Sequence, residues 1–306
     1  QSGLAGLARR DGQRRLTPVA FRTRFAPSPT GPLHLGHAFS ALTAYDAAQA
    51  AGGSFHLRLD DIDQSRARPE WAAQICDDLH WLGLSWPAPV WRQSDRLPRY
   101  RAALERLWRR GLLYPCTCTR RDIQAAANAP QEGAPRFGPD GLIYPGTCRN
   151  RPRSGPMPQD QALRLDMKKA MQAIGEAAFH EETYYPVPRA VTARQMIDSV
   201  GDVVLARRDM GAAYHLAIVV DDADQEISHV IRGQDLFDAT AIHVVLQHLL
   251  DFPTPRYHHH RLIRDASGKR LAKRDDARAI ALYRSEGKRP ADLRAMVGLP
   301  PASASV

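Results

Sequence analysis

The chain has 306 residues, 43% of them hydrophobic, enough to bury a sizeable core and to form about two domains. Mean hydropathy is −0.42 and no apolar run approaches the ~18 residues of a membrane span, which excludes a transmembrane helix. A net charge of +9 and a pI of about 9.7 suit a polyanion-binding surface, although an arginine-rich composition with only five lysines gives the same balance without one.

Arg9-Arg10 and Arg14-Arg15 belong to a basic tail over 1–20 with no apolar segment behind it. A secretory signal is therefore not expected, and the cytoplasm is the default location. Phe21 to Phe25 is β-prone, Pro27, Pro29 and Pro32 then forbid regular structure, and Gly31 permits a turn. From His34 the pattern is helical, with Leu35, Phe39, Leu42 and Tyr45 on one face and Gly52-Gly53 as the stop. Strand, tight loop and helix N-terminus collect free backbone N–H groups and favour an anion. His34 and His37 share a face of the first helical turn, where two imidazoles suit a phosphate better than a core.

Ser54 to Leu59 alternates as a second strand and runs into Asp60-Asp61-Ile62-Asp63, carboxylates at the edge where open α/β sheets bind ligands. Pro69 to Leu82 and Leu97 to Gly111 predict helices, with a short extended piece at Trp91 between them. At Leu112 the composition shifts, and residues 112–188 read as an insertion between two halves of the sheet. Cys76 sits alone in a helical pattern as a small apolar residue, whereas Cys116, Cys118 and Cys148 cluster. Three thiolates make a tetrahedral Zn²⁺ site short of one ligand, and Asp122, Glu132, Asp140 or a water would be chemically acceptable as the fourth. With no general base nearby in sequence, such a site is structural, stapling a loop-rich segment.

Beyond the insertion, Asp202 to Ala206 is expected to resume the sheet. Tyr214 to Asp222 is ambiguous between a buried strand and a buried helix. His229 to Asp235 reads as strand into turn, and Leu236 to Leu250 as a helix. His258-His259-His260 reads as a strand rather than a metal site, because consecutive side chains of a strand point to opposite faces. Lys269 and Lys273 flank one basic loop, and Asp276 to Glu286 predicts a last helix.

His34-Leu-Gly-His37 resembles the HIGH signature of class I aminoacyl-tRNA synthetases, and Arg24-Phe-Ala-Pro-Ser-Pro-Thr-Gly31 is similar to the longer form in the glutamyl and glutaminyl branch. Arg270 to Arg274 resembles that branch's KMSKS loop, with its second lysine at Lys273, but Arg270 and Ala272 replace the first lysine and the serine. The spacing C-x-C…Y-x-x-x-C resembles the short glutamyl-queuosine synthetases and implies Tyr144 as fourth zinc ligand beside Cys116, Cys118 and Cys148.

The resemblance implies an α/β, Rossmann-like class I catalytic domain with an inserted zinc-containing subdomain, a short C-terminal helical region and no anticodon-binding domain. The expected divisions are 1–20 tail, 21–111 first catalytic half, 112–188 insert, 189–255 second half and 256–306 loop with C-terminal helices. Glutamate would be bound by Arg24, Phe25, Ala26, Pro27, Ser28, Asp60, Tyr214 and Arg232. An arginine fits a dicarboxylic substrate, and Asp60 takes the α-ammonium with one methylene less than the family's usual glutamate. His34, Gly36, His37 and Lys273 would bind ATP, with His34, His37 and Lys273 stabilising charge on the phosphates. The implied partners are L-glutamate, ATP with Mg²⁺ and tRNA(Asp) carrying queuosine; the implied cofactor is one structural Zn²⁺, in a cytoplasmic monomer. The chain ends soon after Lys273, which favours the queuosine base over a tRNA 3′ end as glutamate acceptor. A truncated synthetase charging that 3′ end, or a non-catalytic tRNA-binding paralogue, are the alternatives.

Overall fold

Parallel strands need a crossover long enough to return the chain to the same edge, and the early sequence supplies two helices for that purpose. In the computed structural model, which describes residues 20–127, 137–151, 155–264 and 278–302, β1 (Arg22–Phe25) pairs in parallel with β2 (Ser54–Leu59) across α1 (Leu35–Ala50). β2 pairs in parallel with β3 (Trp91–Arg92) across α2 (Pro69–Trp81). α1 and α2 end at Gly52 and Gly83, both at positive φ (60° and 85°), where a glycine carries no Cβ penalty. α3 (Leu97–Arg109) then leads out of the sheet.

The insert begins with β4 (Leu113–Cys116), α4 (Arg120–Ala127) and the hairpin of β5 (Phe137–Gly138) with β6 (Gly141–Leu142). It continues through β7 (Ala162–Leu165), α5 (Met167–Ile174), the antiparallel pair β8 (Ala177–Phe179) and β9 (Arg189–Val191), and α6 (Ala193–Gln195). β10 (Val204–Ala206), expected to resume the parallel sheet, instead pairs antiparallel with β7, giving the order β10-β7-β4. The anchor is Asp202, whose carboxylate accepts from Tyr114 Oη at 2.5 Å, Arg149 Nε at 2.7 Å and the Met167 N–H at 2.9 Å. An apolar triplet read alone carries none of that.

The Tyr214 to Asp222 run is a helix, α7 (Tyr214–Asp224). It is buried from His215 to Asp222, so it has no polar face and no helical period to read. β11 (His229–Gly233) and β12 (Arg256–His260) pair in parallel across α8 (Thr240–Leu249). β11 joins β1 through the Ser228 N–H to the Arg22 carbonyl at 3.0 Å, so the second half of the sheet lies against the first.

The last helices, α9 (Ile280–Ser285) and α10 (Pro290–Met296), return to the first half, where Ile280, Tyr283, Leu293 and Val297 join the core under α1 and α2. α9 starts later than the expected Asp276. Ala279 is extended and bridges to His34, and the Ile280 N–H donates to the Leu33 carbonyl at 2.9 Å. Ala279 and Ile280 thereby lie beside the His34 turn. Lys269, Arg270, Ala272 and Lys273 themselves lie outside the described residues, as does Glu132.

Candidate active site

The turn into α1 is a cap made of two histidines. His34 is the extended N-cap residue; its Nδ1 accepts from the Gly36 N–H at 3.1 Å, and His37 Nδ1 accepts from the His34 N–H at 3.2 Å. A ring nitrogen that accepts carries no proton, so both imidazoles hold theirs on Nε2 and are donors at that atom. Their rings stack with centroids 3.8 Å apart. Gly36 makes this possible, because a Cβ there would stand 3.0 Å from His34 Cε1.

At the C-terminal ends of β1, β2 and β11 lies a cavity of about 380 Å³. Arg24, Phe25, Ala26, Pro27, Ser28, Asp60, Tyr214 and Arg232, all expected from the sequence, line it together with His37. His34 and Gly36 sit behind His37 and do not line it.

The cavity's two arginines are held in different ways. Arg24 makes a two-pronged ion pair with Asp222, Nε to Oδ1 at 3.0 Å and Nη2 to Oδ2 at 3.2 Å. Burial disfavours the Asp222 anion, but Arg24 and Arg58 outweigh it and hold the carboxyl below its ordinary range. Arg232 is only 4% exposed, yet no carboxylate among the described residues lies within ion-pair reach of it. Its hydrogen bonds go to His243, His259, Thr240 and the Leu236 carbonyl, and burial pushes its guanidinium down. Asp60 is opposite in sign: burial pushes its carboxyl up to about 6, against the pull of Arg58.

Arg58 was not anticipated. It is completely buried in β2, with Nε donating to Asp60 at 2.9 Å and Nη1 to Asp222 at 2.8 Å and to Gln225 at 2.9 Å. The signal was available in the sequence: an arginine between Leu57 and Leu59, and Asp221-Asp222 closing an apolar run, are charges that need each other. Asp221, 3.6 Å from Arg58 Nε, also accepts from Arg96 Nε at 2.6 Å and Tyr100 Oη at 2.8 Å, and so ties α7 to α3.

In the insert, the Sγ atoms of Cys116, Cys118 and Cys148 lie within 4.8 Å of one another. Tyr144 Oη stands 3.4 Å from the sulfurs of Cys116 and Cys118, and Cys118 Sγ stands 3.5 Å from Cys148 Sγ. A tetrahedral zinc with ordinary bond lengths has S···S edges of about 3.8 Å and S···O edges of about 3.6 Å, so these three contacts need only a small expansion to fit one. The Cys148 N–H donates to Tyr144 Oη at 2.9 Å, but burial and the three neighbouring cysteines outweigh it and push the phenol far above its ordinary range, so a cation would be needed to draw off its proton. Arg164 adds a positive charge, its Nε at 3.4 Å from Cys116 Sγ and its guanidinium 3.8 Å above the Tyr144 ring. Burial drives Cys118 up to about 11, whereas hydrogen bonds led by Tyr144 overcome burial at Cys148 and bring it to about 7. A dication would favour the thiolate and phenolate forms of this set, which burial alone opposes. Two of the alternatives are engaged elsewhere: Asp122 caps the Thr119 N–H at 2.8 Å, and Asp140 pairs with His215.

Fold, histidine cap and cavity agree with one family. The chain belongs to the family described as tRNA synthetases class I (E and Q), catalytic domain, whose model matches residues 20–303. It is 62% identical over 282 residues to the glutamyl-Q tRNA(Asp) synthetase of Rhodobacter capsulatus, covering 90% of this chain and 99% of that one. It is 42% identical over 261 residues to the glutamyl-Q tRNA(Asp) synthetase of Burkholderia mallei, covering 85% and 82%. Among solved structures, a glutamate tRNA ligase from Elizabethkingia meningosepticum in complex with its amino acid superposes with a TM-score of 0.69 at 28% identity. That superposition covers 90% of this chain and 60% of the ligase, so the chain spans less than two thirds of the longer protein.

Proposed function

We propose that the protein activates L-glutamate with ATP and transfers it to the queuosine base in the anticodon of tRNA(Asp), acting as a cytoplasmic monomer. The observation that supports this most is Arg232, a buried guanidinium with no carboxylate in ion-pair reach among the described residues, sharing a cavity with Asp60 and His37. A cation and an anion placed there fit an amino acid that carries a second carboxylate. Glutamine would leave the guanidinium without a counter-charge.

In the first step an α-carboxylate oxygen of glutamate attacks the α-phosphorus of ATP. The bond from that phosphorus to its bridging oxygen breaks, and pyrophosphate leaves. Asp60 accepts from the α-ammonium, Arg232 takes the γ-carboxylate, and Arg24 is a second cation held in place by Asp222. Tyr214 and the Phe25–Ser28 segment wall the substrate. His34 and His37 donate from Nε2 toward phosphate oxygens, Gly36 lets the two rings pack, and Lys273 neutralises the departing pyrophosphate. Mg²⁺ accompanying ATP offsets further phosphate charge. In the second step a hydroxyl on the cyclopentene ring of queuosine attacks the glutamyl-adenylate carbonyl and AMP leaves; positioning accounts for most of this rate. Cys116, Cys118, Tyr144 and Cys148 would hold a structural Zn²⁺, which would order the loop-rich segment around them.

The relatives named glutamyl-Q tRNA(Asp) synthetase support the acceptor. The test is transfer of labelled glutamate to tRNA(Asp) with and without queuosine. Transfer is expected only to the modified tRNA; equal labelling of unmodified tRNA(Asp), or charging of the 3′ end of tRNA(Glu), would sink the assignment.

A further inference from the structure

Arg232 cannot accept a hydrogen bond, and that fact fixes the direction of every hydrogen bond around it. Its Nη1 donates to His243 Nδ1 at 3.1 Å, so His243 carries its proton on Nε2 and donates to His215 Nδ1, also at 3.1 Å. His215 in turn donates from Nε2 to Asp140 at 3.3 Å. On the other side, Arg232 Nε donates to His259 Nε2 at 3.3 Å, and His259 Nδ1 donates to Glu181 at 3.3 Å. Glu181 is itself locked by the N–H groups of His259, Thr183 and Tyr184, at 3.0, 3.1 and 2.7 Å. Both chains end on a carboxylate, but each places a neutral imidazole between that carboxylate and Arg232.

Burial, with Arg232 next to them, drives His243 far below and His259 down to about 4, so both rings are uncharged at neutral pH. Arg24 in the same cavity shows the other solution, a direct pair with Asp222 that cancels its charge. We infer that His243 and His259 are positioning residues for amino-acid selection, holding Arg232 through uncharged acceptors so that its charge is left for the substrate's side-chain carboxylate. A carboxylate in either position would orient the guanidinium equally well and make the pocket indifferent to acid or amide. An apolar residue would leave the charge but release the orientation. Imidazole does neither, and its second nitrogen is what locks the acceptor in place.

This inference rests on the glutamate reading and is tested by titrating glutamate and glutamine into the full chain, with ATP titrated in parallel. His243→Asn keeps an acceptor where Nδ1 stands, His243→Leu removes it, and His243→Asp adds charge. His243→Leu is expected to weaken glutamate binding about tenfold with ATP affinity unchanged, and His243→Asn to recover most of the loss. His243→Asp is expected to weaken glutamate about 100-fold and to collapse the preference for glutamate over glutamine. If His243→Asp keeps the wild-type preference, or if His243→Leu weakens glutamate and ATP alike and His243→Asn restores neither, the inference fails while the glutamate reading stands. If the wild type binds no glutamate, both fall.

Discussion

Acidification should weaken glutamate binding through Asp60. The carboxyl is 8% exposed, burial pushes it up to about 6, and the groups acting on it are Arg58, Asp221 and Arg24. Only the ionised form attracts the substrate's ammonium, so binding releases a proton below that value and affinity rises with pH until about 6 is passed. The fraction ionised then predicts an apparent Kd raised about twofold at pH 6 and about tenfold at pH 5, against almost nothing at pH 7. Two confounders lie outside the window. His259, down at about 4, stays neutral throughout. Glutamate's own side chain ionises near pH ~4.3. The assay is calorimetric titration of glutamate between pH 5 and 8, repeated in two buffers of different protonation enthalpy to count the proton. Asp60→Asn is expected to bind more weakly at every pH and to lose the slope. An unchanged Kd from pH 5 to 8, or an unchanged slope in Asp60→Asn, would refute the assignment of Asp60 to the ammonium.

Metal analysis of purified protein should find about one zinc per chain. Cys148→Ser should lose it and lower the melting temperature, and an unchanged metal content would remove the ligand set. Arg58→Met should destabilise the fold by about 3–5 kcal/mol in urea denaturation, because Asp60, Asp221 and Asp222 stay buried with one cation fewer. A loss below about 1 kcal/mol would mean that these carboxylates re-pair or protonate at little cost.

What was legible in the sequence was local. Pro69 and Gly83 bound α2, and the turn from loop into helix at His34 is where α1 begins, because both depend on neighbours within a few residues. The cavity walls were legible through motif resemblance. What escaped was long-range pairing of charge: apolar neighbours mark Arg58 and Asp222 each as a buried charge in need of a partner, but across 164 residues the sequence does not say which partner. The triple histidine shows the boundary most clearly. His258-His259-His260, read as a strand, lies in β12 (Arg256–His260), but the contact of His259 with Arg232 comes from register, which sets the two opposite each other across β11 and β12. Asp202 makes the same point in the insert. Its neighbours looked like a sheet strand, and its partners Tyr114 and Arg149 decided which sheet.

The charges of the cavity can be set against those of the proposed substrate. Among the described residues that line the cavity, Arg24 is paired with Asp222, which Arg58 also contacts; that leaves Arg232 as the cation without a carboxylate and Asp60, paired with Arg58, as the anion. Glutamate brings one ammonium and two carboxylates. If Asp60 takes the ammonium and Arg232 the γ-carboxylate, the α-carboxylate is left without a tight counter-ion. An α-carboxylate held by a guanidinium would be a poor nucleophile, because its lone pairs would already be engaged. A pocket with two unpaired arginines would bind glutamate more tightly and activate it more slowly, since that extra attraction would have to be given up in the transition state. Pairing Arg24 with Asp222 while leaving Arg232 on neutral histidines puts the binding energy at the side chain and keeps the reacting end free beside His37.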